Sequence, residues 1–157
     1  MREYGRVVAI ANRVLADRSE AEDVAQEAFL DLHRRHGPNP SFAAPWLYAA
    51  AAHTALNRLR GRRRRERREV ADAQQRLNQL ATDPADEVEI RAQRLEVRRA
   101  LARLKPKAAS ILVLRYSGLS YAEVGAALHV GTGQVGTLLR RAEQALKKEL
   151  ESRGSSL

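Results

Sequence analysis

The stretch LSYAEVGAALHVGTGQVGTLL, residues 119–139, constrains this chain more than any other. Ser120 and Glu123 stand three apart, the spacing of a capping box, which predicts a short helix over YAEVGAAL. His129 falls where a left-handed turn residue is needed, a conformation histidine tolerates better than most non-glycine residues. His129 to Gly131 then separate that helix from a longer one, expected from Thr132 to about Glu149. Gly125 is the small residue that lets the two helices approach, and Val124, Leu128, Val130 and Val135 are placed to fill the angle between them. On the longer helix Val135, Leu138, Leu139 and Ala142 face inward, and Gln134, Thr137 and Arg141 form the opposite stripe. A short helix, a tight turn and a longer helix are the outline of a helix-turn-helix, in which Gln and Arg can make paired hydrogen bonds to base edges. A plain helical hairpin with a solvated polar face accounts for the same pattern.

The rest of the chain shows no alternating strand pattern and reads as all-α. A first helix is expected from Glu3 to Ala16. Ser19 and Glu22 suggest a second capping box and a helix from Glu20, stopped by Gly37 and Pro38. Pro45 suits the first turn of a third helix carrying WLYAAAAHTALNRLR. Residues 67–91 are polar and broken by Thr-Asp-Pro, the character of a linker. The expected layout is thus two small helical domains, 1–66 and 92–157, joined by 67–91, the second domain ending in the helix-turn-helix. In it, LEVRRALARL ends before Pro106, and KAASILVLRYS is closed by Gly118.

Between Arg58 and Arg68, eight of eleven residues are arginine, and the whole chain of 157 residues carries a formal charge of +9. Like charges at that density repel one another, so the run calls for a polyanion, or is a solvated spacer. The helix EAEDVAQEAFLDLHRR buries Val24, Ala25, Ala28, Phe29 and Leu32 by its periodicity. Its other side carries Asp23, Gln26, Glu27, Leu30 and Arg34: a leucine ringed by polar groups, suited to a basic protein partner or else simply a solvated face. The chain has no cysteine, which removes disulfides and thiolate metal sites. No apolar run approaches the ~20 residues of a membrane span, and the start of the chain is too polar for a secretory signal. A soluble, cytoplasmic protein is expected. The histidines show no metal spacing beyond His33 and His36, and neither a phosphate loop nor a motif-borne nucleophile is present, so neither an enzyme nor a cofactor is expected.

AEDVAQEAFLDLHRR, then FAAPWLYAAAAHTALNRLRGRRRR, then LSYAEVGAALHVGTGQVGTLLRRAEQAL together resemble a bacterial RNA polymerase sigma factor of the extracytoplasmic-function group, over nearly the whole chain except the linker. The resemblance implies a promoter-melting domain, a linker and a reader of the upstream promoter element, with core RNA polymerase and promoter DNA as partners and an anti-sigma factor as regulator. Carried over by position, the polymerase-binding motif falls on Glu22, Asp23, Gln26 and Glu27, beside Leu30 and Arg34, and would grip the coiled coil of the largest polymerase subunit. The minus-ten element falls to Phe42, Trp46, His53, Asn57, Arg58, Arg60, Arg62, Arg63, Arg64 and Arg65, with Phe42, Trp46 and Tyr48 offering aromatic surface to an unpaired base. The upstream element falls to Thr132, Gln134, Thr137, Arg140 and Arg141. The chain departs from the family at Ala51, Ala52 and His53, where ARN is usual, and at Gly136 and Leu138, where a lysine and an arginine are usual. Each change subtracts DNA contact, which leaves room for a sigma-like regulator that binds polymerase or an anti-sigma protein without initiating; a stand-alone helix-turn-helix repressor is the third reading.

Overall fold

The computed structural model describes residues 2–68 and 85–154, which form seven helices with no strand among them. They are α1 (Arg2–Leu15), α2 (Arg18–His36), α3 (Ala43–Arg68), α4 (Ala85–Arg103), α5 (Pro106–Tyr116), α6 (Tyr121–Leu128) and α7 (Thr132–Gly154). The all-α expectation holds. Most of the expected linker, residues 69–84, lies outside the described residues. Its flanks are helical: α3 runs on through Arg68 and α4 begins at Ala85, seven residues before the expected start of the second domain.

The start of α2 differs from the expected capping box. Asp17 is the cap: it sits in extended conformation, and its carboxylate accepts from the Glu20 N–H at 3.1 Å. Ser19 lies inside the first turn, and Glu22 instead pairs with Arg18 at 3.3 Å. Aspartate can cap the helix as well as serine can, and its charge also favours the positive helix end. At the other end, α2 breaks at Gly37, whose φ of 82° admits no side chain without strain.

α1, α2 and α3 pack as a first unit around Val7, Ile10, Val14, Val24, Leu47 and Leu56, all essentially fully buried. α5, α6 and α7, with α4 packed on α7, form a second around Leu114, Leu119, Val124 and Val135. The two units do not stand apart. α3 packs on α4, α5 and α6, α1 touches α5, and the buried residues of both units belong to one cluster. Two polar clamps cross this seam. Arg6 on α1 reaches both carboxylate oxygens of Glu123 on α6, at 2.7 and 3.2 Å. Arg60 on α3 donates to the carbonyls of Ala102 and Leu104, both at 3.2 Å.

Candidate functional site

The helix-turn-helix forms as its residues dictate. Ser120 accepts from the Glu123 N–H at 3.1 Å, and Glu123 accepts from the Ser120 N–H at 2.9 Å, a complete capping box. His129 takes the left-handed conformation, φ 58° and ψ 43°, and the N–H groups of His129 and Val130 both donate to the Gly125 carbonyl. Gly125 is also the point of closest approach, since a Cβ there would lie 2.7 Å from the Val130 carbonyl oxygen. Val124 and Val135 are fully buried in the angle, with Leu128 and Val130 half-buried beside them. α7 runs past the expected end at Glu149 to Gly154.

On α7, Thr132, Gln134, Thr137, Arg140 and Arg141 are all exposed, while Val135, Leu139 and Ala142 are buried. One stripe is therefore free for a ligand and the other holds the fold. Gly136 faces Tyr121 of α6, and a Cβ at 136 would rest at 3.5 Å from the ring, an ordinary contact. Tyr121 is itself exposed, with the Arg115 guanidinium carbon 5.3 Å from its ring centroid, a cation–π distance. The sequence reading did not single out Tyr121 or Arg115. Gly136 of α7 is thus bordered by the Tyr121 ring of α6, over which lies Arg115 of α5.

On α2, Asp23, Gln26, Glu27, Leu30 and Arg34 are exposed together, and Glu22 is half-buried next to them. Leu30 has 54 % of its surface in solvent although it is flanked by buried Ala28 and Leu32. It is one of seven large apolar side chains exposed among the described residues.

The residues assigned to the minus-ten element divide into two groups. Phe42 is exposed and Trp46 half-buried, and both contact the His36 ring edge-on, with centroids 4.9 and 5.8 Å away. His36, at the end of α2, is a member of this aromatic cluster that the sequence reading missed. Nothing in the local pattern marks it, because the contact spans the Gly37 break. Tyr48 is a correction. It is buried, its hydroxyl donates to Glu3 and accepts from Arg6, and burial pushes its pKa up, so it offers no surface to a base.

The arginine run is also divided. Arg58 pairs with Glu27 at 3.1 Å and lies 3.9 Å from Glu20, while Arg62 donates to the Leu15 carbonyl at 2.8 Å and pairs with Glu20. Arg60 is held by the two carbonyls across the seam and by Asn57. These three arginines thus take part in the fold, Arg58 and Arg62 through α2 carboxylates and Arg60 through backbone carbonyls, both far away in sequence. His53, Asn57, Arg64 and Arg65 are exposed, and the side chain of Arg63 lies outside the described residues.

Glu123 has its pKa lowered, first by Arg6 and then by the Ser120 N–H. A depressed carboxyl stabilises the fold fully above its unfolded value and loses that contribution as pH falls through the folded value. The advantage of the native protein over Glu123→Gln in thermal melting should therefore be largest near pH 7 and shrink toward pH 3. A constant gap across that range would remove the charge from the account.

No helix among the described residues is long and apolar enough to cross a membrane, and no group of side chains among them could hold a metal ion.

Residues 1–65 match the family of sigma-70 region 2, and residues 94–146 match that of sigma-70 region 4. The chain is 32% identical to the RNA polymerase sigma factor YlaC of Bacillus subtilis over 83% of this chain and 77% of that protein. It is 28% identical to the ECF RNA polymerase sigma factor SigW of the same organism, over 92% of this chain and 83% of that one. It is 29% identical to the RNA polymerase sigma-H factor of Pseudomonas aeruginosa over 93% and 81%. With both regions present in order, each on a unit of the fold with an exposed face, the chain belongs to the extracytoplasmic-function group of RNA polymerase sigma factors, non-enzymatic factors that direct promoter recognition.

Proposed function

We propose that α2 docks on core RNA polymerase through Glu22, Asp23, Gln26, Glu27, Leu30 and Arg34, in the manner the family resemblance implies, on the coiled coil of the largest subunit. The observation that carries this reading is Leu30, exposed within a ring of charged and polar side chains, the form of an apolar anchor with a polar rim. The stripe Thr132, Gln134, Thr137, Arg140 and Arg141 reads the upstream element in the major groove. Phe42 and Trp46, with His53, Asn57 and the arginines from Arg58 to Arg65, follow the opened minus-ten strand, Arg64 and Arg65 being the cations already free to take phosphates. An anti-sigma protein is the expected regulator, and the cytoplasm, where polymerase works, the expected location.

Run-off transcription with purified core polymerase on a genomic promoter library tests the reading. Specific transcripts support it, and polymerase binding without transcripts would leave a sigma-like regulator. A salt titration then separates the DNA contacts. Replacing Arg64 and Arg65 by glutamine should weaken matched and scrambled promoters alike and flatten the salt dependence. Replacing Gln134 or Arg141 by alanine should cost about 1–3 kcal/mol on the matched upstream element only. Gly136→Lys should tighten upstream binding, because the site has room for a Cβ and lysine forms helix better than glycine by roughly 0.5–1 kcal/mol. Equal losses on both DNAs for the Gln134 and Arg141 variants would show that α7 does not read sequence.

A further inference from the structure

Where α4 meets α1 and α3 there is a small cavity, and every charged side chain bordering it is an arginine. It measures about 110 Å³ and is lined by Leu15 of α1, Leu59 and Arg62 of α3, and Leu95, Arg98 and Arg99 of α4. No carboxylate borders it among the described residues. Its volume is several times the ~30 Å³ share of one water molecule in the liquid, so it has room for a small polyatomic ion.

The three cations are unequally compensated. Arg62 pairs with Glu20 and donates to the Leu15 carbonyl. Arg98 and Arg99 are half-buried and form no ion pair with a carboxylate among the described residues. The Arg98 Nε is enclosed with no hydrogen-bond partner among the described residues, and its guanidinium is disfavoured by burial and then by the charges of Arg94 and Arg62. An arginine does not relieve such a cost by giving up its proton; a counter-ion relieves it. The α2 carboxylates at this end of α3, Asp17 and Glu20, already face Arg62 and Arg58.

The donor chemistry favours phosphate. Arginine presents a planar fork of N–H groups that matches two phosphate oxygens at once, and arginines converging from two helices can hold one anion from two sides. The enclosed atom of Arg98 is Nε, so its terminal nitrogens are the donors available to a ligand. Arg98 also borders a second, larger cleft of about 960 Å³, together with Arg13, Arg94, Val97 and Tyr116, with Glu143 as the carboxylate on its edge. Val97 and Tyr116 are exposed there. A phosphate group held at Arg98 therefore has space beside it for an attached organic body resting on apolar surface.

We infer that this cavity is a phosphate site, in which Arg98 and Arg99, with Arg62, hold a phosphate group that is either free or carried by a small organic molecule lying in the larger cleft. The inference does not rest on the promoter-binding reading above. Arg62 belongs to the proposed strand-following set, so the test variants are Arg98→Met and Arg99→Gln. The full chain is melted in inorganic phosphate, in adenosine diphosphate and in chloride at matched ionic strength. With phosphate about tenfold above its dissociation constant, the native chain should melt roughly 3–5 °C higher than in chloride. Either variant should lose most of that rise. In chloride, Arg98→Met should melt no lower than the native chain, because it removes a half-buried charge that the fold leaves uncompensated. A larger rise with adenosine diphosphate than with inorganic phosphate assigns an organic phosphate as the occupant, and the reverse assigns the free ion. Phosphate also stabilises folded chains by exclusion from their surfaces, an effect the native chain and the variants share. An equal rise in all three proteins, or no rise above chloride, therefore overturns the site. Phosphorus NMR makes the comparison without unfolding. The inorganic phosphate line should broaden with the native chain and stay sharp with Arg99→Gln; a line that both proteins broaden equally, or that neither affects, overturns the site as well.

Discussion

Replacing Asp23, Gln26 and Glu27 together by alanine should abolish co-purification with core polymerase while the far-ultraviolet helical signal stays unchanged. All three are exposed on α2, so their loss uncovers no core and opens no cavity. Glu27 gives up its 3.1 Å pair with Arg58, an ion pair with one side chain about half in solvent, worth at most about 1 kcal/mol. Leu30→Ala alone should weaken binding by about 2 kcal/mol, near thirtyfold, because an anchoring side chain that becomes desolvated contributes far more than its rim. Co-purification at the native level by the triple variant would remove α2 as the docking helix.

Gly125→Ala should disable the upstream reader and spare polymerase binding. The added Cβ would stand 2.7 Å from the Val130 carbonyl oxygen, a backbone atom that cannot swing aside, and near Thr132 and Val135 of α7. The helices must part, and overpacking of this kind costs about 1–3 kcal/mol. The displaced element is α7, which bears Gln134 and Arg141, so loss of upstream-element binding should exceed the loss of stability. Gly136→Ala is the control. Its Cβ has ordinary space, and removing a glycine from a helix interior should stabilise the unit by roughly 0.5–1 kcal/mol. If both substitutions melt alike, the close approach at Gly125 does not set the angle.

The contrast between these two glycines shows how far the sequence carried. The capping box at Ser120 and Glu123, the left-handed His129 and the small residue at Gly125 were legible because each answers a need within a few residues along the chain. The buried stripe of α2 was legible too, since helical periodicity assigns faces without reference to any partner. The cap of α2 was misplaced by two residues because Asp17 and Ser19 both have cap chemistry, and only backbone geometry chose between them.

The contacts between distant segments were decided by the tertiary structure alone. Nothing local tells that Tyr48 is enclosed by Glu3 and Arg6, that His36 joins Phe42 and Trp46 across a glycine break, or that Arg58 and Arg62 meet carboxylates of α2. The sequence shows an arginine run and its charge, but which of its members are spent inside the fold depends on where other helices come to rest. The same holds for the seam. Composition marks residues 67–91 as a separator between two domains, yet whether domains so joined stay apart depends on the surfaces they present to each other. Here Arg6 meets Glu123 over a separation of 117 residues, a pairing that exists only once both units have folded.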